Sequence, residues 1–250
     1  MQLSSFSMKD ILLFFLLLNV NLYAQLSVNA VGSYVFGTAT SRSFGRFADM
    51  INENPDVTDK LGNFWFAHGF EVGIEIPNLG TVLPFNFHYR RLTSHTSYST
   101  NSDGKVNFDL TLNQYLIPMI FGGGLGSNSS IFLHVPMGYS ASRIVHTVQN
   151  TPSFRREYSG GYPVMGIGFS FYTGIQRRLG FYFKMFWMGH MIPIKELKTE
   201  LFDDSFYDDP DAELDDYYLN YIYKGRNEHV RADFRGLTIN LGLVYSLYRD

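Results

Sequence analysis

The chain has 250 residues, a formal net charge of -3 and a pI near 6.1, and it contains no cysteine. This charge balance gives no electrostatic basis for nucleic-acid binding, which needs a basic face. The lack of cysteine excludes disulfides, thiolate metal sites and a lipid-modified N-terminal cysteine. Charged residues make up 17% of the chain, which is a low fraction for a soluble domain. Aromatic residues also make up 17%, and this high fraction indicates that a large apolar surface is covered.

The N-terminal segment has the pattern of a secretory signal peptide. Lys9 gives a short positive region, an apolar run begins at Ile11, and Ala24 offers a small residue for cleavage before Gln25. A membrane-anchoring helix is the alternative, but the run is shorter than the roughly 20 residues that a spanning helix needs. The sequence therefore predicts a signal peptide at 1–24 and a single domain at 25–250.

After residue 24 the hydrophobic pattern has a period of two, which predicts strands. Most segments are near the length that a tilted strand needs to cross a bilayer. Because unpaired backbone is too costly in lipid, strands can cross a membrane only as a closed barrel. Eight alternating segments lie near 26–36, 66–76, 85–90, 106–121, 131–140, 165–172, 181–190 and 237–247.

The fourth segment changes the phase of its alternation partway along. Phe108 and Leu112 share one parity, whereas Tyr115 and Ile117 continue the apolar pattern on the other. One extra residue in one strand of a pair shifts all later side chains to the opposite face. We therefore predict a β-bulge near Asn113.

The connections between segments alternate between short and long. Short turns are predicted at 77–80, 122–129 and 176–179, and long loops at 37–64, 92–104, 142–162 and 192–232. This layout is typical of outer-membrane barrels. A soluble barrel that carries an apolar ligand is an alternative, but a long apolar face on the outside of every strand would aggregate in water. The prediction is an all-β, antiparallel up-and-down transmembrane β-barrel of about eight strands.

Two segments resemble known outer-membrane proteins. The stretch at 240–247 resembles the C-terminal signal read by the barrel-assembly machinery, although the chain ends in Arg249-Asp250 instead of an aromatic residue. The stretch at 113–120 is similar to the Tyr-Leu-x-Ile-Pro-Leu-Leu signature of Bacteroidetes outer-membrane β-barrel proteins, a group that includes PorT-like proteins. One residue is missing here between Leu116 and Ile117. The resemblance implies one barrel domain in outer-membrane lipid, without a cofactor.

Polar residues on the other parity are expected inside the barrel. About eight strands leave room for side chains but not for an aqueous channel, so buried charges must pair with one another. A proton path or a catalytic set is the alternative to a structural ion-pair network. The residues of the expected network are Glu71, Glu75, His88, Arg90, Asp109 and Lys184, and His134 has the same parity.

The loop at 202–223 combines many acidic with many aromatic residues. Carboxylates are ligands that calcium prefers, so the weak candidates for a metal site are Asp208, Asp209, Asp211 and Glu213. A solvated acidic loop is the alternative. The aromatic residues favour an extracellular protein or glycan partner, since merely solvating tracts contain few of them.

No recognised catalytic motif is present. Gly-x-Ser-x-Gly and His-Glu-x-x-His are both absent, and neither His68 nor His190 has a serine at the neighbouring inward spacing. We therefore predict a non-enzymatic outer-membrane protein that is structural, adhesive or accessory to secretion. A lipid-modifying hydrolase is the alternative from another functional class.

The signal-peptide prediction has a direct test. The mature protein is expected to begin at Gln25, because Ala24 ends a short apolar run. Intact-mass measurement of membrane-extracted protein checks this, and a mass that retains the apolar run from Ile11 would contradict it.

Overall fold

A computed structural model describes residues 27–76, 86–125, 128–174, 178–190, 202–203 and 219–249. The segment 1–24 assigned to a signal peptide lies outside the described residues. So do the four weak metal candidates, Asp208, Asp209, Asp211 and Glu213.

Strands make up most of the described chain, and one helix accompanies them. The helix is α1 (Arg42–Asn52). The strands are β1 (Ser27–Gly37), β2 (Val57–Asp59), β3 (Ala67–Glu75), β4 (Phe87–Thr100), β5 (Gly104–Gly124), β6 (Ser129–Val148), β7 (Thr151–Thr173), β8 (Leu179–His190), β9 (Phe202–Asp203), β10 (Asn220–Tyr223), β11 (Arg226–His229) and β12 (Gly236–Arg249).

Eight of these strands close into an antiparallel ring. Their order is β4-β3-β1-β12-β8-β7-β6-β5, and pairing between β4 and β5 completes the circle. Neighbours in the ring are consecutive long strands, so the topology is up-and-down. The start of β1 lies opposite the end of β12, with Ser27 paired to Arg249, so both ends reach the same rim. The predicted eight-stranded antiparallel barrel is confirmed.

Large apolar side chains cover the outside of the ring. In water such a continuous surface would promote aggregation, whereas lipid accommodates it. The chain is therefore a transmembrane β-barrel of the bacterial outer-membrane type. The lipid-facing side chains include Tyr34, Phe70, Val72, Ile74, Phe87, Tyr115, Ile117, Ile131, Tyr139, Ile167, Phe169, Phe171, Phe181, Trp187, Leu237, Leu241, Leu243, Tyr245 and Leu247. Among the described residues, no helix combines the length and apolar character needed to cross a membrane.

Four adjacent strands are much longer than a membrane crossing requires. β4, β5, β6 and β7 have 14, 21, 20 and 23 residues, against about 9–11 for a tilted spanning strand. Their far ends project from the rim opposite the start of β1 and the end of β12. We name the part beyond the register row Arg91, Asn113, Ala141 and Gly161 the outer extension.

The outer extension corrects two predicted loops. Segments 92–104 and 142–162 are strand ends joined by tight turns. At the first turn Gly104 has a φ of 70°, a left-handed conformation that glycine adopts without steric cost. The chain reverses there after Asn101-Ser102-Asp103, residues that favour turns.

The predicted β-bulge near Asn113 is wrong. β5 pairs continuously with β4 and with β6 through this region, without a shift of register. Even-numbered residues of β5 point inward throughout, from Val106 to Ile120. The apolar phase changes because the surroundings change. After Asn113 the apolar residues of β5 point outward into lipid, whereas before Asn113, in the outer extension, they point inward, away from water.

The segment 37–64, predicted to be a loop, contains α1. Phe44, Phe47, Ala48 and Ile51 follow the i, i+3, i+4, i+7 spacing of an amphipathic helix. Ser41 caps its first turn by accepting a hydrogen bond from the backbone N–H of Phe44 at 3.1 Å.

The apolar face of α1 packs into the outer extension. The Phe44 ring lies 4.5 Å from that of Phe64 and 5.7 Å from that of Phe108. His146 stacks on Phe108 with 4.5 Å between ring centroids, and burial lowers the pKa of His146 to about 4. This imidazole is therefore neutral at pH 7 and belongs to an apolar core outside the lipid.

The face assignment predicts opposite effects for two substitutions at Leu241. This side chain is 53% exposed on the lipid-facing side of β12. Leu241→Arg should destabilise folding into bilayers by about 2–4 kcal/mol near the midplane, whereas Leu241→Phe should be tolerated. Urea-dependent folding in lipid vesicles measures both.

Single-cysteine labelling provides the control for Leu241. A lipid-confined reagent should mark positions 169 and 241, whose side chains are exposed, and spare 170 and 240, which are buried. The reverse labelling, or parent-like folding of Leu241→Arg, would contradict the lipid-facing assignment.

Candidate functional site: a charge network inside the barrel

The membrane-spanning part of the barrel has a polar interior. Because side chains alternate along each strand, the parity that faces away from lipid collects the polar residues. Their side chains are buried and fill the space between the walls. They include Glu71, Glu75, Asn86, His88, Arg90, Gln114, His134, Ser140, Ser170, Lys184, Thr238 and Asn240.

The hairpin of β3 and β4 positions the centre of this interior. Glu71 and Arg90 are directly paired across the two strands, and Gly73 lies opposite His88. A Cβ atom on Gly73 would lie 2.5 Å from Cδ2 of His88. Glycine at this inward position therefore leaves the space that the His88 ring occupies between Glu71 and Glu75.

The carboxylate of Glu71 is held by two partners on β4. Nη2 and Nε of Arg90 donate to its Oε2 at 2.6 and 2.9 Å. Nδ1 of His88 lies 2.9 Å from Oε1 of Glu71, and Nε2 of the same ring lies 3.1 Å from Oε1 of Glu75. His88 thus lies between the two carboxylates.

Residues from the far wall complete the network. Nζ of Lys184 on β8 lies 2.6 Å from Oε1 of Glu75 and 3.5 Å from Oε1 of Glu71. The Tyr172 hydroxyl on β7 donates to Oε2 of Glu75 at 2.8 Å. Two carboxylates meet two permanent cations, Arg90 and Lys184, so these four groups together carry no net charge. The contacts tie β3 and β4 to β7 and β8 across the barrel.

The structure brings together five of the six residues expected in the network, which are Glu71, Glu75, His88, Arg90 and Lys184. Asp109 is not among them. Its side chain is 58% exposed on the outer surface of the outer extension, where it lies 2.8 Å from Nδ1 of His95. The assignment was wrong because the inward parity at this height carries apolar residues, such as Phe108 and Leu110.

Sequence reasoning missed a serine–histidine pair in the same interior. Nε2 of His134 on β6 lies 2.6 Å from Oγ of Ser170 on β7. Shared inward parity on adjacent strands was the signal that could have found it. Serine next to histidine is a nucleophile–base arrangement, but both side chains are 0% exposed. Within the described residues, Nδ1 of His134 has no hydrogen-bond partner, whereas a catalytic triad supplies an orienting carboxylate there.

The described part of the chain contains no cluster of three or more histidine or acidic side chains that could hold a metal ion. The buried carboxylates of the network are occupied by nitrogen and hydroxyl donors instead. The geometry supports a packed interior that locks the walls together.

Comparison with solved structures finds other barrels of low similarity. Ail of Yersinia pestis, in complex with the heparin analogue sucrose octasulfate, has a TM-score of 0.45 and 9% identity over 90% of this chain and 100% of that chain. Neisserial surface protein A has a TM-score of 0.42 and 10% identity over 88% and 97%. The outer membrane protease OmpT from Escherichia coli has a TM-score of 0.37 and 9% identity over 89% and 95%.

No protein-family profile matches the chain, and no curated protein sequence matches it. The barrel assignment rests on the closed ring and its lipid-facing belt.

The two kinds of carboxylate predict a contrast in stability. Glu71→Gln leaves the buried Arg90 without its anionic partner, and breaking a buried pair costs about 3–5 kcal/mol. Asp109→Asn removes a solvent-exposed pair with His95, which contributes at most about 1 kcal/mol. Urea titration of folding in vesicles compares the two matched amide variants. Equal losses of unfolding free energy would contradict the placement of these residues.

Proposed function

We propose that this protein is a non-enzymatic barrel of the bacterial outer membrane that holds a rigid contact surface outside the cell. It is structural or adhesive, or it is accessory to secretion. The observation that supports this proposal best is the outer extension. An apolar core built beyond the lipid adds nothing to crossing the membrane, so its contribution is to fix the shape of the exposed part.

The outer surface of the outer extension is polar, and ion pairs join its neighbouring strands. Arg143 on β6 forms an ion pair with Glu157 on β7, and His95 pairs with Asp109. Beneath this surface lie the aromatic core and α1. A rigid, well-packed scaffold that presents polar side chains and loops is the usual arrangement for recognition sites.

The interior favours this function over transport and over catalysis. Eight strands leave space only for side chains, and the contacts among Glu75, Lys184 and Tyr172 cross that space. A lipid-modifying hydrolase would need its nucleophile at a surface that lipid can reach. The His134–Ser170 pair is fully buried, which speaks against that alternative.

Several finer assignments belong to the same proposal. Segment 1–24 is removed on secretion, and the barrel-assembly machinery inserts the protein through the last strand at 240–247. The segment 113–120 supports membership of the Bacteroidetes outer-membrane barrel group that includes PorT-like proteins. The loop at 202–223 contacts an extracellular protein or a glycan.

The packed interior predicts that the barrel does not conduct. Purified protein in planar bilayers should show no steady large-conductance openings, with a porin reconstituted in parallel as the positive control. The same preparation should release no fatty acid from phospholipid or lipid A. Steady openings, or hydrolysis that Ser170→Ala abolishes, would replace the proposed function with transport or catalysis.

The contact function is tested on cells that display the protein. Replacing residues 204–218 with a glycine–serine segment of equal length should lower attachment to immobilised host proteins or glycans at least tenfold. The control replaces residues 77–80, which the sequence predicts to be a short turn, with a glycine–serine segment of equal length. Attachment by parent cells that is no better than that of cells lacking the protein would contradict the proposal.

A further inference from the structure

A cleft of about 340 Å³ opens on the outer rim where the chain passes from β1 into α1. Three guanidinium groups and one carboxylate line it, together with an amide and an indole. These residues are Arg42, Arg46, Arg235, Asp49, Asn63 and Trp65. The lining therefore carries an excess of positive charge.

The cleft lies at the height where lipid tails give way to headgroups. Arg235 and Leu237 are exposed on the same face, and Leu237 is 44% exposed within the lipid-facing belt. Two residues span only about 6.6 Å along a strand. Arg235 therefore lies about 6.6 Å farther along the strand direction, toward the outer surface, than lipid-facing Leu237. Trp65 and Phe66, which are 68% and 63% exposed, lie at the same rim, and aromatic residues are enriched at membrane interfaces.

Two of the three arginines of the cleft, Arg42 and Arg235, are available to an anion. Within the described residues, neither Arg42 nor Arg235 has an ion-pair partner, and Nη1 of Arg46 lies 3.7 Å from Oε2 of Glu228. The planar guanidinium group donates paired hydrogen bonds that match phosphate oxygens. Basic pockets at the membrane surface are suited to anionic lipid headgroups.

The floor of the cleft is fixed in place. Nδ2 of Asn63 donates to the backbone oxygen of Ser41 at 2.7 Å, and its Oδ1 accepts from the backbone N–H of Phe64 at 2.9 Å. Thr40 and Arg235 are joined by an antiparallel bridge. The two segments that carry Arg42 and Arg235 are thereby held side by side before any ligand arrives.

We propose that this cleft binds a phosphate group carried by a lipid of the outer leaflet, with Arg42 and Arg235 donating hydrogen bonds to its oxygens. Trp65 packs against the sugar or glycerol that adjoins the phosphate. The proposal rests on the membrane location given under the proposed function, but it is independent of adhesion. It assigns the barrel a specific lipid neighbour at one point of its circumference.

The test compares two double variants of the full-length mature barrel. The parent, Arg42→Gln/Arg235→Gln and the control Arg178→Gln/Arg226→Gln are folded into phosphatidylcholine vesicles that contain bisphosphorylated lipid A. Native mass spectrometry then counts the lipid A molecules retained. The cleft variant should retain lipid A at least tenfold less than the parent, whereas the control, which removes the same charge elsewhere, should match the parent.

Three further arms identify the ligand. Lipid A without phosphates should be retained no better by the parent than by the cleft variant. Soluble glucose 1-phosphate should not displace lipid A at equal concentration, because the proposed ligand is anchored in the membrane. Neutralising the acidic residues of 203–216 should leave retention unchanged, since the proposal assigns the arginines to lipid.

Several outcomes would overturn the proposal. These are equal retention by parent and cleft variant, retention that does not depend on phosphate, displacement by the soluble sugar phosphate, or retention that arises only after the acidic loop is neutralised. Protease protection in the same vesicles scores insertion separately. A parent that inserts but retains no lipid A counts against the cleft alone, whereas failed insertion of the parent contradicts the membrane location as well.

Discussion

Inside a bilayer each backbone N–H and C=O must find its partner within the protein, and the pairing of β4 with β5 meets this constraint by closing the ring. Closure of the ring also fixes the direction in which each side chain points. A strand has only two faces, so once the ring is closed each residue points either to the surroundings or to the interior. In the membrane-spanning part the surroundings are lipid and the apolar residues point outward, whereas in the outer extension the surroundings are water and the apolar residues point inward.

The polar interior follows from the same constraint. Residues that cannot face lipid must be packed inside, where unpaired charges are very costly. The barrel satisfies them with a balanced set in which His88 lies between Glu71 and Glu75 while Arg90 and Lys184 supply the positive charge. A buried ion pair adds little net free energy of folding, but removing one partner leaves an unpaired buried charge and destabilises the protein strongly. Each member of the network is therefore needed to keep the others paired.

Much of the barrel could be predicted from the sequence, because period-two alternation is a local signal. It gave the strand number, the outward face of Leu241 and the inward positions of Glu71 and Arg90. Their shared inward parity also placed Glu71 and Arg90 in one expected network. The contacts of Lys184 and Tyr172 with Glu75 could not be predicted, since they depend on which strands face each other across a closed ring.

The outer extension was missed for a physical reason. Hydropathy records that the apolar face of β5 changes parity near Asn113, but a bulge and a change of surroundings produce the same pattern. The bulge was the wrong choice, and Asp109 was consequently placed inside. Helix α1 was missed because its apolar positions span only Phe44 to Ile51, a short pattern within a segment that the barrel layout assigned to a loop.

The most direct test of this account is a cysteine scan along β5 in folded, membrane-inserted protein. The chain has no native cysteine, so each engineered thiol reports alone. The account predicts that a lipid-confined reagent labels 115 and 117, that a water-soluble reagent labels 107, 109 and 111, and that even positions on both sides of Asn113 stay protected. If the labelled positions in the outer extension were 108 and 110 instead of 107, 109 and 111, β5 would contain a bulge, and the reversal of surroundings would be contradicted.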